Sequence, residues 1–160
     1  MKKNILFLSI TIATGLLFTN LYSSLVDARS WGNDIPNSIG AAREYFKVAN
    51  PGNFFRIFSP INQALGLVCL VIFWKTSPSI RISLAIALVL YLAAEGLTFG
   101  YFFPRNEILF KSASLTDVET LKKVWSEWNS MNWVRTSILI IGVYFSYYSL
   151  NKIYLLKDLN

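Results

Sequence analysis

The sequence predicts an all-α integral membrane protein: an antiparallel four-helix bundle with an extra extracytoplasmic amphipathic helix in each of its two long connections. Three observations predict it. The chain is 54% hydrophobic with a mean hydropathy of +0.43, too apolar for an ordinary soluble domain. Four apolar runs, at about 5–26, 57–74, 82–103 and 133–150, have the length a bilayer requires. The cations are also unevenly shared. Lys2 and Lys3, Lys75 and Arg81, and Lys152 and Lys157 sit at the N-terminus, the second connection and the C-terminus, which the positive-inside rule places in the cytoplasm. The two long connections hold cations nearly matched by Asp34, Glu44, Glu107, Asp117, Glu119 and Glu127, and so face the other side. The expectation is one multi-pass domain of the cell membrane, residues 1–160, with both termini cytoplasmic.

Taken in order, Lys2 and Lys3 precede the run from Ile5 to Val26. With Val26-Asp27-Ala28 this weakly resembles a secretory signal and its cleavage site. Asn20, Ser23 or Ser24, and Asp27 nevertheless repeat at helical spacing and make a polar stripe suited to a bundle, so a retained first span is expected. From Arg29 to Pro60, aromatic and charged residues mix. Pro36 opens a helix with Ile35, Ile39, Ala42 and Phe46 along one side, and Asn50-Pro51-Gly52 breaks it. In the second span, Ser59-Pro60 either caps and opens the helix, or Pro60 kinks one begun near Asn53. Lys75 to Arg81 is a tight turn. The third span carries Glu95 with Tyr91 and Thr98 on its face, and Pro104 ends it. Thr116-Asp117-Val118-Glu119 reads as a capping box. Val118, Leu121, Trp125 and Trp128 then follow helical spacing, in a helix that either runs unbroken into the fourth span or bends near Asn129 to Asn132.

Composition narrows the chemistry. The chain has no histidine and a single cysteine, Cys69, inside an apolar run. Histidine-ligated haem, the usual zinc sites and an intramolecular dithiol pair are thereby excluded, and no carboxylate spacing suggests another metal. The net charge of +6 follows from topology, because no basic run long enough for nucleic acid is present. Membrane lipid is the expected surrounding partner; oligomeric state is left open.

The candidate site rests on polar residues at one depth. Asn20 is late in the first span, Asn62 and Gln63 early in the second, Glu95 late in the third and Arg135 early in the fourth. Because spans alternate direction, all of these fall in the outer half of the bilayer. The inner half reads as apolar, ending in a belt of Trp74, Tyr147, Tyr148 and Tyr154. Trp128, Asn132 and Arg135 stand at i, i+4 and i+7, so a flat aromatic, an amide and a permanent cation share one helical face. With Pro104 nine residues on, Glu95 lies ~13 Å below its helix end at ~1.5 Å per residue. A carboxylate there costs roughly 2.5–3.5 kcal/mol unless neutralised or paired. Arg135 is the obvious partner. Two readings follow: a Glu95–Arg135 bridge that pins two helices, or a polar, aromatic-rimmed pocket that opens outward. The surrounding Asn20, Asn62, Gln63, Asn106, Asn132 and tryptophans exceed what a brace needs.

Pro104-Arg105-Asn106, followed by Trp128-x3-Asn132-x2-Arg135 opening the last span, resembles the anthrone-oxygenase-like family of small four-helix membrane proteins. The likeness extends over the first span with Gly15, the Asn50-Pro51-Gly52 segment and the second span. The resemblance implies a membrane-embedded site for a small hydrophobic aromatic ligand, and fungal relatives oxidise anthrones to anthraquinones with oxygen. For an oxygenase of this kind the absent metal ligands favour a cofactor-independent route: Glu95 would remove a proton, Arg135 and Asn132 would stabilise the enolate, and Trp128 would stack on the ring. Asn20, Asn62, Gln63, Asn106 and Tyr91 would line the substrate. The residues themselves leave two other classes open, a membrane binding or transport protein and a structural subunit. The apolar inner half and the lack of internal repeats count against transport.

Overall fold

The computed structural model describes residues 2–111 and 117–155, and all regular structure among them is helical. Four long helices, α1 (Lys2–Gly32), α3 (Pro51–Ile72), α4 (Pro78–Lys111) and α5 (Val118–Leu155), are each long and apolar enough to cross a membrane. The short helix α2 (Asn37–Tyr45) joins α1 to α3. The chain is an all-α membrane protein.

The long helices form a ring in chain order. α1 packs on α3 and α5, and α4 packs on α3 and α5; the α4–α5 contact is the most extensive and α3–α4 the least. The ammonium of Lys3 lies 3.7 Å from the Tyr154 ring centroid, so the described ends of the chain meet at one end of the bundle, here the terminal end. The opposite end is closed by a cap. Trp31 of α1 packs edge-on against Trp128 of α5 and Phe110 of α4. Ile39 and Ala42 of α2 bury their side chains in the same cluster, as their spacing with Ile35 and Phe46 predicts. No residue of α3 belongs to that cluster.

The helices run further than the apolar runs. Pro104 does not end the helix of the third predicted span: α4 continues through it to Lys111. A proline lacks the N–H that an α-helix needs, and here π-turns, in which each N–H reaches one residue further back, flank it at Thr98–Phe102 and Glu107–Lys111. A third π-turn, Ser23–Asp27, interrupts α1. Pro60 lies inside α3, which begins at Pro51, so the sequence Asn50-Pro51-Gly52 ends one connection and starts the next helix. The amphipathic helix of the second long connection is continuous with α5. Its N-cap is Asp117, whose carboxylate accepts the Thr120 N–H at 3.1 Å and the Thr120 hydroxyl. Thr116, the expected cap, lies outside the described residues, and Glu119 pairs with Lys122 at 3.4 Å instead of closing a box.

Below the cap the interior is filled by Leu17, Tyr91, Leu139 and Val143, and nearer the terminal end by Leu6, Ile10, Phe73, Ile80 and Leu84. A Cβ on Gly142 would stand 2.7 Å from Cε1 of Tyr91, so the glycine lets that ring pack closely against α5. The terminal half is not wholly apolar, contrary to expectation: Ser9, Ser83, Ser146 and Ser149 are buried there. Ser146 and Ser149 donate to carbonyls one turn back on their own helix, so their hydroxyls are satisfied while their small size brings helices together.

Candidate functional site

Arg135 sits at the centre of a polar layer between the cap and the terminal half. It is only 7% exposed. Its Nη2 donates to Asn132 Oδ1 at 2.6 Å and its Nη1 to Thr98 Oγ1 at 3.2 Å. The guanidinium carbon lies 4.0 Å over the Phe102 ring and 5.5 Å from that of Phe55. Among the described residues, its Nε has no partner. The Glu95 bridge does not form, since none of the ion pairs involves either residue. The carboxylate instead stands half-exposed on the same cavity.

Two π-turns put these groups in place. Thr98 and Phe102 are the first and last residues of the α4 turn, and Ser24 lies in the α1 turn. Asn132 Nδ2 donates to Ser24 Oγ at 2.7 Å while its Oδ1 takes the arginine. Asn20 Nδ2 donates to Thr136 Oγ1 at 2.6 Å, and Thr136 returns to the Asn132 carbonyl at 2.9 Å. Asn20 and Asn132, both at 0% exposure, thus tie α1 to α5 and hold Arg135 from behind.

In front of Arg135 is a cavity of ≈ 20 Å³, room for about one water. Its polar lining is Ser59, Asn62, Gln63, Tyr91, Glu95, Thr98 and Arg135; Leu16, Phe55, Ala94 and Leu139 complete it. The buried Oδ1 of Asn62 has no partner among the described residues. The Tyr91 hydroxyl is 2.9 Å from Ser146 Oγ.

Of the residues expected at the site, Asn62, Gln63, Tyr91, Glu95 and Arg135 come together at the cavity. Asn132 and Asn20 stand behind Arg135. Trp128 and Asn106 do meet, through an Nε1–Oδ1 hydrogen bond of 2.9 Å, but in the cap. Trp128 is packed there edge-to-face between Trp31 and Phe102 and is buried, so protein surrounds its ring. Phe55 was missed because the predicted second span began after it. Phe102 was missed because an unbroken α-helix hides the phase that a π-turn gives it. Thr98 had a signal, three residues beyond Glu95. Among the described residues no group of three or more Cys, Asp or Glu side chains converges as a metal site would require. A larger open recess on the cap, beside Trp125, Asp34 and Lys122, has its charged groups engaged by Asn37 and Glu119.

The family model described as anthrone oxygenase matches residues 53–145. That stretch holds all of the cavity lining except Leu16, together with Asn132 and Phe102. No curated protein and no solved structure matches the chain. With more than half its length matched, and the cavity wall with it, the chain belongs to the anthrone oxygenase family.

Proposed function

We propose that this membrane protein binds a small hydrophobic aromatic ketone of the anthrone class at the Arg135 cavity and oxidises it to the quinone with molecular oxygen. The observation that carries the reading is a buried guanidinium that, among the described residues, has an unpartnered Nε and no carboxylate in ion-pair contact, facing a cavity that also holds Glu95. Such a cation is costly in a membrane interior unless an anion forms beside it. Deprotonation of an anthrone makes that anion.

Glu95 takes a proton from the methylene carbon between the rings, and the electron pair delocalises onto the ketone oxygen, where Arg135 receives the charge. The carbanion reduces oxygen and bonds to it, giving a hydroperoxide once a proton returns. Loss of the remaining C–H proton and cleavage of the O–O bond release water and leave the second carbonyl, so one oxygen molecule gives one quinone oxygen and one water. Asn132 and Asn20 are positioning residues for Arg135. Phe55 meets the ring edge, and Asn62, Gln63 and Tyr91 surround it. Trp128 and Asn106 hold the cap. The same reading puts the multi-pass bundle in the cell membrane with termini cytoplasmic and cap outside, as the cation distribution favours.

The test is anthrone oxidation in lipid nanodiscs, followed by quinone absorbance and oxygen uptake above the uncatalysed rate. Glu95→Gln should lower turnover by about 10²–10⁴-fold and Arg135→Met by about 10²–10³-fold. The melting temperature of Glu95→Gln should barely move, because Glu95 braces nothing. Wild-type protein that gives no quinone above background would refute the oxidation. A Glu95→Gln variant that melts far below wild type would revive the brace.

A further inference from the structure

The cavity is closed towards the cap and towards the terminal end, but not towards the side. On the cap side Phe102, 1% exposed, lies directly over the guanidinium and is itself covered by Trp128. On the terminal side Tyr91, hydrogen-bonded to Ser146, and Leu139 fill the bundle. The partly exposed lining residues Phe55, Gln63, Glu95 and Thr98 all belong to α3 and α4. The open edge is therefore the α3–α4 seam, which faces lipid in a four-span bundle.

α3 is built to yield there. Its buried side chains over the described helix are Ser59, Asn62, Gly66 and Cys69, all small or polar, so few apolar contacts hold it. It takes no part in the cap, and its contact with α4 is the least extensive in the ring. Pro60 in its interior removes one helical N–H, leaving the Arg56 carbonyl without its usual bond. An aromatic ring does not fit in ≈ 20 Å³, so occupation requires a wall to move, and α3 is the least anchored.

We propose that the substrate is a neutral, bilayer-dissolved aromatic that reaches Arg135 sideways through the α3–α4 seam, with Gln63 and Glu95 as the two lips of the mouth. The inference rests on the cavity being the ligand site. It makes the membrane the substrate reservoir: uncharged rings cross the seam, and charge is created only once they stand against Arg135.

The test reads access without any turnover. In a Cys69→Ser background, which removes the only native thiol, Ala94→Cys places a thiol on the cavity wall. In nanodiscs, both aqueous faces are open to reagents. Labelling by pyrenyl maleimide dissolved in the lipid is compared with labelling by a trimethylammonium methanethiosulfonate in water. Rates are normalised to Val89→Cys, on the exposed flank of α4, and Lys123→Cys, exposed on α5. The expected result is labelling by the lipid reagent and loss of labelling by the charged one. Labelling by the charged reagent at the Lys123→Cys rate, or by neither reagent, overturns the lateral route. Thr98→Cys, close in shape, serves if Ala94→Cys does not fold. A second readout locks the seam. A Cβ on Gly66 lies 4.0 Å from Leu88 Cβ, within the range of about 3.5–4.5 Å for a disulfide. Oxidised Gly66→Cys/Leu88→Cys protein should lose anthrone turnover and recover it on reduction; equal turnover in both states counts against the route. Absence of turnover in the wild type speaks against the oxidation chemistry alone, and labelling still decides the path.

Discussion

Arg135 carries a charge that the bundle surrounds with partial compensation: two neutral acceptors and the negative face of an aromatic ring. Removing a guanidinium from water costs several kcal/mol or more, and hydrogen bonds to neutral groups return only part of it. The spacing Trp128, Asn132, Arg135 made this face visible in the sequence, and the Asn132–Arg135 contact follows it. Trp128 diverged because the same helix rises out of the polar layer into the cap within a turn. The absent Glu95 bridge was not legible, because helical phase says which residues share a level but not how far apart their side chains stop. A second residue-scale prediction concerns Gly142. Its hydrogen is all that separates α5 from the Tyr91 ring, so Gly142→Ala should overpack the contact and destabilise by about 1–3 kcal/mol. Thermal unfolding in mild detergent measures it, and Gly96→Ala, where a new Cβ meets nothing within 4 Å, is the control.

At the scale of elements, the sequence placed the helices well and their ends poorly. Hydropathy marks the apolar middle of a helix, and α1, α4 and α5 each continue past it into an amphipathic part that packs only because the cap exists. Pro104 looked like a terminator because a π-turn, which makes room for the missing N–H, has no simple residue signature. The start of α5 offers an experiment. The Thr120 N–H and hydroxyl both bond the exposed Asp117 carboxylate and hold its pKa below the ordinary 3.8. A depressed carboxylate stabilises the fold above its unfolded pKa, and that contribution is lost as pH falls through the lower folded value. The Thr120 amide chemical shift should therefore follow the Asp117 carboxyl as it titrates below pH 3.8, the helix start fraying there, and Asp117→Asn should keep the cap while abolishing the titration. NMR of the amide gives the answer.

At the scale of the whole molecule, the described terminal end holds Lys2, Lys3, Lys75, Arg81 and Lys152 without a carboxylate, while acids and bases mix at the cap. Several of these cations lie over aromatic rings, as Lys3 does on Tyr154 and Arg81 on Trp74, a pairing suited to a lipid–water boundary. Lys157, counted with them from the sequence, lies outside the described residues. This asymmetry was fully legible, since it needs only the order of spans and charges. It predicts that an impermeant maleimide labels Lys123→Cys and not Thr76→Cys in intact cells, with Cys69→Ser in both. The reverse pattern would put the cap in the cytoplasm.

The π-turn at Thr98–Phe102 holds one residue more than an α-turn would need for its length. In terms of chain length it is an insertion that the helix absorbs on the spot, so the flanks keep their phase. Shortening the chain there should be the gentlest of deletions. Without Gly100, whose surroundings are open, the turn can close into ordinary α-helix, with Tyr91 and Glu95 unmoved below and the Arg105–Glu127 pair intact above. Only Thr98 and Phe102 would swing away from the guanidinium. A single deletion in the regular part of α4, at Ile86, has no such slack and would turn everything beyond it by about 100°. On this account the arginine owes its surroundings less to the identity of any neighbour than to one residue of surplus length.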